Sequence, residues 1–212
     1  AMLAAAVVLF LFIIAILAPL VAPTNPFDPA SLNLMNGFTP PMTPNMFTGQ
    51  SFVMGTDDQG RDLLSAIIYG LRVSLFVGVM SVLLAMGIGV SLGLVAGYVG
   101  GWLDNLIMRI ADIQLTFPSI LIAMLIFGVL RGIIPPDLRD EMAIFVLIAA
   151  IGLSEWVPFA RTVRATTLVE KEKEYVQAAR LIGLRRGQIM WRHILPNVCL
   201  LYTSPSPRDV RS

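Results

Sequence analysis

Few residues in this sequence could act as nucleophile, general base or metal ligand, and their spacing argues against each use. His193 is the only histidine and Cys199 the only cysteine in 212 residues. One thiol can neither close an internal disulfide nor supply the ligand pair of a zinc or iron–sulfur site. No serine or cysteine is recognisably paired with His193, which leaves it a boundary or docking residue rather than a base. The run "GTDDQGRD", Gly55 to Asp62, carries three aspartates and invites a calcium reading. It lacks the EF-hand spacing and closing glutamate, so Gly55, Asp57, Gly60, Arg61 and Asp62 are read as a structural turn ahead of a helix. No phosphate loop of the form GxxxxGK[ST] occurs, so any ATP used must be hydrolysed by another chain. No catalytic residue and no metal ligand is expected.

The elements that carry these residues are oily. Hydrophobic residues make up 56% of the chain and charged ones only 14%, with a mean hydropathy of +0.77, where a globular domain has about a quarter charged. This composition belongs in a bilayer, and an all-α, polytopic membrane fold is expected. The segment from Met2 to Ala22 is uncharged and about the ~20 residues that cross a ~30 Å hydrocarbon core. A cleaved signal peptide is the alternative, disfavoured by the missing basic region and by an apolar run that is too long. The chain opens without an obvious cytoplasmic start, so a missing N-terminus is expected. Thr24 to Val53 is Pro- and Gly-rich, an extramembrane loop. Leu63, Leu64, Ile67, Ile68 and Leu71 then recur at helical spacing and predict a short amphipathic helix leading into the membrane.

Further spans are expected near 73–98, 113–131 and 142–160. The second carries Gly89, Gly93 and Gly97 at four-residue intervals, a pattern that lets helix backbones approach closely in lipid. Glycine merely tolerated in a membrane helix is the plainer alternative. In the third, Asp104, Arg109 and Asp112 precede the apolar run, and Pro118 should break or kink the helix. Glu155 lies near the end of the fourth, where an interfacial position avoids the ~2.5–3.5 kcal/mol that insertion scales assign to a mid-bilayer charge. Eight of the fifteen Lys and Arg fall between Arg161 and Arg192. The positive-inside rule makes that segment cytoplasmic and, with four spans, the N-terminus too.

Within the basic segment, Leu168, Tyr175, Ala178, Ala179 and Ile182 share a helical face, and Gly183 suits the left-handed residue that stops a helix. Ile189, Met190, Ile194 and Leu195 begin a second helix that Pro196 should end or bend. A DNA-reading helix-turn-helix is disfavoured, because the segment is tethered to a membrane span and has no base-reading face. Two readings remain: arginines that obey the positive-inside rule and meet anionic lipid, or a helix that docks a cytoplasmic partner.

The stretch "QAARLIGLRRGQIMWRHILP" resembles the EAA motif of ABC importer permeases: Glu-Ala-Ala, three residues, Gly, nine residues, Ile, one residue, Leu-Pro. Ala178, Ala179, Gly183, Leu195 and Pro196 match in register, whereas Gln177 replaces the usual Glu and His193 the usual Ile. "MGTDDQGRDLLSAIIYGLRVSL", "GLVAGYVGGWLDNLIMRIADIQLTFPS" and "WVPFARTVRA" are similar to further signatures of the dipeptide/oligopeptide/nickel subfamily, in its C-type permease subunit. The resemblance covers nearly all of Met2 to Asn197. It implies an ABC importer permease fold of six spans, of which about four are present. It also implies a bacterial or archaeal cytoplasmic membrane, a second permease subunit, two ATPase subunits that hold ATP and Mg, and an extracytoplasmic solute-binding protein. No cofactor is implied in this chain and no nucleic acid as partner. Segment 161–196 would be the coupling loop, with Glu174, Tyr175, Gln177, Ala178, Ala179, Ile182, Gly183, His193, Leu195 and Pro196 at the ATPase.

Two other functions compete. A secondary transporter would be expected to show mid-membrane ionisable residues and broken helices in repeated halves, neither evident in the sequence. A membrane anchor recruiting a cytoplasmic partner would leave the glycine-lined span unexplained. After Asn197 the chain reads "VCLLYTSPSPRDVRS", too short an apolar run to span. The expectation is a truncated reading frame with a non-native tail over 198–212, a natural short C-terminus being the alternative. Truncation would remove the fifth and sixth spans and, with them, partners for the glycine face.

Overall fold

Uncharged apolar runs satisfy their backbone groups internally by forming helices, and helices dominate the computed structural model, which describes residues 2–28, 34–44, 49 and 51–198. Helices α1 (Met2–Ile16) and α2 (Ala18–Val21) occupy the expected first span, with Pro19 in the first turn of α2. A two-stranded antiparallel ribbon follows, β1 (Thr43–Pro44) and β2 (Ser51–Phe52), Thr43 facing Phe52. Then come α3 (Leu63–Val99), α4 (Gly101–Leu115), α5 (Ser119–Ile133), α6 (Arg139–Ser154), α7 (Trp156–Glu170), α8 (Glu174–Leu181) and α9 (Arg186–Gln188), the last continued by a π-helical turn, Ile189–Ile194. Of the expected non-native tail over 198–212 only Val198 is described, helical and buried; residues 199–212 lie outside the described residues.

Helix α3 departs from the expectation of a short amphipathic helix followed by a separate span. It is one helix of 37 residues, about 55 Å at 1.5 Å per residue, against a hydrocarbon core of ~30 Å. No proline interrupts it, and a glycine inside a helix costs only about 1 kcal/mol, so the polar entry and the apolar span run on together. By length and composition, α3 alone among the described helices can cross a membrane unaided. The pairs α4–α5 and α6–α7 qualify as bent units, and α1 is a shorter apolar helix.

Both bends trace to proline. Pro118 caps α5, and the pair α4–α5 turns by 99° there. The third apolar helix therefore starts at Ser119, later than the expected 113. The fourth span starts earlier than expected, at Arg139, and breaks at Glu155 with a 42° bend. The sequence reading did not anticipate this second break, although Pro158 explains it. A proline ring excludes a bond to the carbonyl four residues back, here that of Ser154. The side-chain amide of Gln114 satisfies it instead: Nε2 donates to the Ser154 carbonyl at 2.8 Å and to that of Leu153 at 3.2 Å, while Trp156 Nε1 donates to Gln114 Oε1 at 2.8 Å. Helix α7 then continues to Glu170, so the first ten residues of the expected 161–196 loop are helical.

The described residues form two compact units that divide between Val79 and Met80. In the first, "GTDDQGRD" is the expected turn. Gly55 and Gly60 adopt φ of 82° and 75°, and Asp57 accepts the N–H groups of Gln59 and Arg61, both at 2.9 Å, and Arg61 Nε at 2.8 Å. Burial opposes ionisation of Asp57, but these donors outweigh it and hold its carboxyl below the usual range. Asp62 caps α3: its Oδ2 accepts the Ser65 N–H at 2.9 Å and the Ser65 hydroxyl at 2.5 Å. Ser65 Oγ in turn accepts the Thr24 N–H at 3.1 Å. Asp62→Ala is expected to cost about 1–2 kcal/mol, as lost N-caps do, and to speed amide hydrogen exchange in the first turn of α3; unchanged exchange there would refute the cap.

In the second unit, Gly89, Gly93 and Gly97 do pack against a helix, and that helix is α7 of this same chain. A Cβ on Gly89 would stand 2.6 Å from Cβ of Phe159, one on Gly93 3.0 Å from Cα of Ala160, and one on Gly97 2.7 Å from Cβ of Thr167. The expectation that truncation strips this glycine face of partners is therefore corrected. Leu92, Val95, Ile107, Trp156 and Val157 pack around the small Ala96, Ala111 and Ala160, which are fully buried.

Candidate functional site

The basic segment folds as an elbow whose two arms are set by local chemistry. Helix α8 starts at Glu174, an acid in the first turn that complements the helix dipole. It ends as the sequence predicts, with Gly183 at φ 79°. The Leu184 N–H reaches back to the Ala179 carbonyl at 3.2 Å and the Gly183 N–H to that of Arg180 at 3.1 Å, the paired bonds of a Schellman stop, which needs the left-handed conformation that glycine adopts without cost.

The second arm differs from expectation. Pro196 neither ends nor sharply breaks its helix. The chain stays helical through Val198, because the preceding π-helical turn shifts the hydrogen-bond register: the Leu195 N–H bonds Met190, five residues back. Such a shift is one way a helix accommodates a proline.

Burial separates the motif residues into two faces. Ala179 and Val176 are buried with Leu94, Tyr98, Val163, Ile189, Ile194 and Val198, while Tyr175, Met190 and Leu195 pack around that cluster. Ala179 thus brings α8 close to the rest of this chain, where sequence reasoning placed it at the ATPase. Glu174, Gln177, Ala178, Ile182, Gly183 and Pro196 are exposed, and His193 is half-buried. Leu181 and Ile182 stand out, 88% and 76% exposed, an apolar edge on an otherwise polar elbow.

Sequence reasoning missed the charges that fix the elbow to its base. Glu170, the last residue of α7, is 1% exposed. It accepts Lys173 Nζ at 2.5 Å and the Tyr175 hydroxyl at 2.7 Å, joining α7 to α8. Burial and this bond push the Tyr175 hydroxyl above its ordinary pKa, against an opposing contact with Asn197. The signal present in the sequence was the Glu170, Lys173, Tyr175 spacing. Lys171 Nζ donates to the Gly97 carbonyl at 3.1 Å, satisfying one of the open carbonyls at the end of α3. Arg164 grips Asp104 with two bonds, Nε to Oδ1 at 2.5 Å and Nη2 to Oδ2 at 2.7 Å, and Arg161 pairs with Asp112. Helices α4 and α7 are therefore tied by two ion pairs, so these arginines do more than mark a membrane side.

The family of binding-protein-dependent transport system inner membrane components matches residues 89–207, a stretch that includes the glycine face, the ion-paired α4 and α7 and the whole elbow. The chain belongs to this family. The match continues past Asn197, where the motif register ends. Curated relatives of this chain include the dipeptide transport system permease protein of Haemophilus influenzae, 38% identical over 195 residues that cover 91% of this chain and 60% of the relative. The dipeptide permease protein of Alkalihalophilus pseudofirmus is 39% identical over 185 residues, 87% of this chain and 54% of its own. The oligopeptide transport system permease protein of Bacillus subtilis is 34% identical over 197 residues, 93% and 58%. The chain spans about half the length of the curated relatives it matches. Membership in an inner-membrane family makes this a membrane protein and agrees with its bent, apolar helices.

Proposed function

We propose that the chain is the membrane-spanning permease subunit of an ATP-driven importer of peptides or related small solutes, and that the elbow from α8 to α9 passes ATPase movement into the membrane helices. The observation that carries this reading is the two-sided build of α8, locked to its own chain by Val176 and Ala179 while Leu181 and Ile182 stand uncovered. The names of the relatives support a peptide-class solute. The partners are a second permease subunit, two cytoplasmic ATPases that hold ATP and Mg, and an extracytoplasmic solute-binding protein. The elbow and the N-terminus face the cytoplasm, and this chain itself holds no cofactor.

Transmission requires the ATPase to bind two arrangements of the permeases with different free energies, since equal affinity for both would shift nothing. A rigid elbow serves this, because a flexible one would absorb the movement. Ile182→Asp combined with Ala178→Arg is expected to weaken capture of the ATPases from a co-expressed complex at least about tenfold, the ~1.4 kcal/mol or more that a central contact supplies, while leaving the permease folded. Undiminished capture would sink the assignment. Ala179→Arg is not a clean docking probe, as it forces a charge into the cluster around Leu94 and Ile194.

A further inference from the structure

We propose that the cavity bounded by Tyr98, Val99, Arg180, Leu184, Arg186 and Ile189 holds the phosphate headgroup of an anionic membrane lipid. The cavity has a volume of about 420 Å³ and is formed where the elbow meets the end of α3. Arg180 lies over the Tyr98 ring, its guanidinium carbon 5.3 Å from the ring centre, a cation–π contact that holds the guanidinium in place. Arg186 stands on the opposite arm of the elbow. Among the described residues neither arginine has a carboxylate partner, and the sequence has no Asp or Glu from Tyr175 to Asn197. Two unneutralised guanidiniums beside one cavity repel each other, and a phosphate diester removes the repulsion while accepting paired N–H donors from each.

Free phosphate offers the same oxyanion, and an acidic protein surface offers a carboxylate. Three observations favour lipid. Tyr98 and Val99 form the last turn of α3, the helix long and apolar enough to cross a membrane, so the cavity lies at an end of that helix and not along its apolar length. Val99, in its lining, is 48% exposed, and Trp102, three residues further along the chain, is 74% exposed, as a tryptophan that anchors at a membrane interface would be. Along α8, about 100° per residue puts Arg180 about 160° from Ile182 and about 160° from Ala178. A protein gripping the Ala178 and Ile182 face therefore leaves the Arg180 side open to the bilayer. Val99, Leu184 and Ile189 supply apolar wall for the glycerol and upper acyl carbons, which free phosphate would not use.

The site needs α3 to span a membrane but does not depend on the docking role of α8. The full chain is reconstituted in nanodiscs of phosphatidylcholine and phosphatidylglycerol, and the lipid retained after detergent exchange is counted by mass spectrometry. Phosphatidylglycerol is expected to be retained preferentially, with the preference falling about fivefold per arginine removed in R180Q/R186Q. R185Q/R192Q removes the same charge elsewhere on the elbow and is expected to keep the preference. R180K/R186K, which retains charge without the fork, is expected to fall between. If R180Q/R186Q loses the wild-type protease pattern, R186Q alone carries the comparison. Equal loss in both double variants would mean a diffuse basic surface and overturn the site. So would inorganic phosphate displacing the retained lipid at low millimolar concentration, or R180Q/R186Q losing ATPase capture with lipid preference intact.

Discussion

Gly93→Leu is expected to unfold the contact between α3 and α7. A Cβ at Gly93 meets the carbonyl oxygen and Cα of Ala160 as well as Cβ of Val163, so most of what it strikes is backbone and cannot swing away. Overpacking a core typically costs about 1–3 kcal/mol when side chains can shift. Here two helix axes must separate, and the expected cost is at or above the top of that range, about 3 kcal/mol or more. Separation would also break the Lys171 bond to the Gly97 carbonyl one turn along. The check is thermal unfolding of the detergent-solubilised chain with limited proteolysis at the α7–α8 junction. Gly87→Leu, on the same helix with open space around its Cβ position, is the control and should unfold near wild type. Equal losses in the two variants would show that the cost lies in α3 itself and not in the helix contact.

Asp104→Ala is the second large effect expected. Asp104 is 8% exposed, and its removal strands the Arg164 guanidinium beside α4. Breaking a fully buried pair costs about 3–5 kcal/mol. The Arg164 side chain is 32% exposed, so water can solvate part of the orphaned charge and the expected loss is smaller, about 2–3 kcal/mol. Asp104→Leu with Arg164→Met removes both charges and keeps the volume, and such replacements are often neutral or stabilising. The double variant is therefore expected to recover most of the stability that Asp104→Ala loses, while uptake by an assembled transporter reports separately on any role of the pair in movement. A double variant no more stable than Asp104→Ala would show that the two side chains are not coupled. The exposed pair of Arg161 with Asp112, 47% and 62% exposed, is expected to contribute under about 1 kcal/mol.

Properties governed by neighbours in the chain were legible in the sequence. Apolar runs without charge identified a membrane protein, because backbone groups in lipid must bond within a helix. Gly183 was legible as a helix stop, since only a left-handed residue completes that turn, and Pro118 as a break, since its ring excludes an upstream carbonyl. Asp62 was legible as part of a turn, although its buried cap on Ser65 was not. Motif spacing identified the family, which the match over residues 89–207 then established.

Tertiary structure decided which groups face which. Ala178 and Ala179 are adjacent and chemically identical, yet about 100° of helical rotation sends Ala179 into the cluster with Leu94 and leaves Ala178 exposed. Asp104 and Arg164 lie 60 residues apart, and no local pattern pairs them; only the close approach of α4 and α7 brings the carboxylate into the guanidinium fork. The glycines announced a close contact but not its partner, because a missing side chain fits any small-residue helix, and the choice of α7 rests on where Phe159, Ala160 and Thr167 happen to fall. Pro158 and Gln114 show the same division: the proline alone says that a carbonyl is freed, and the fold alone says that an amide from another helix takes it up.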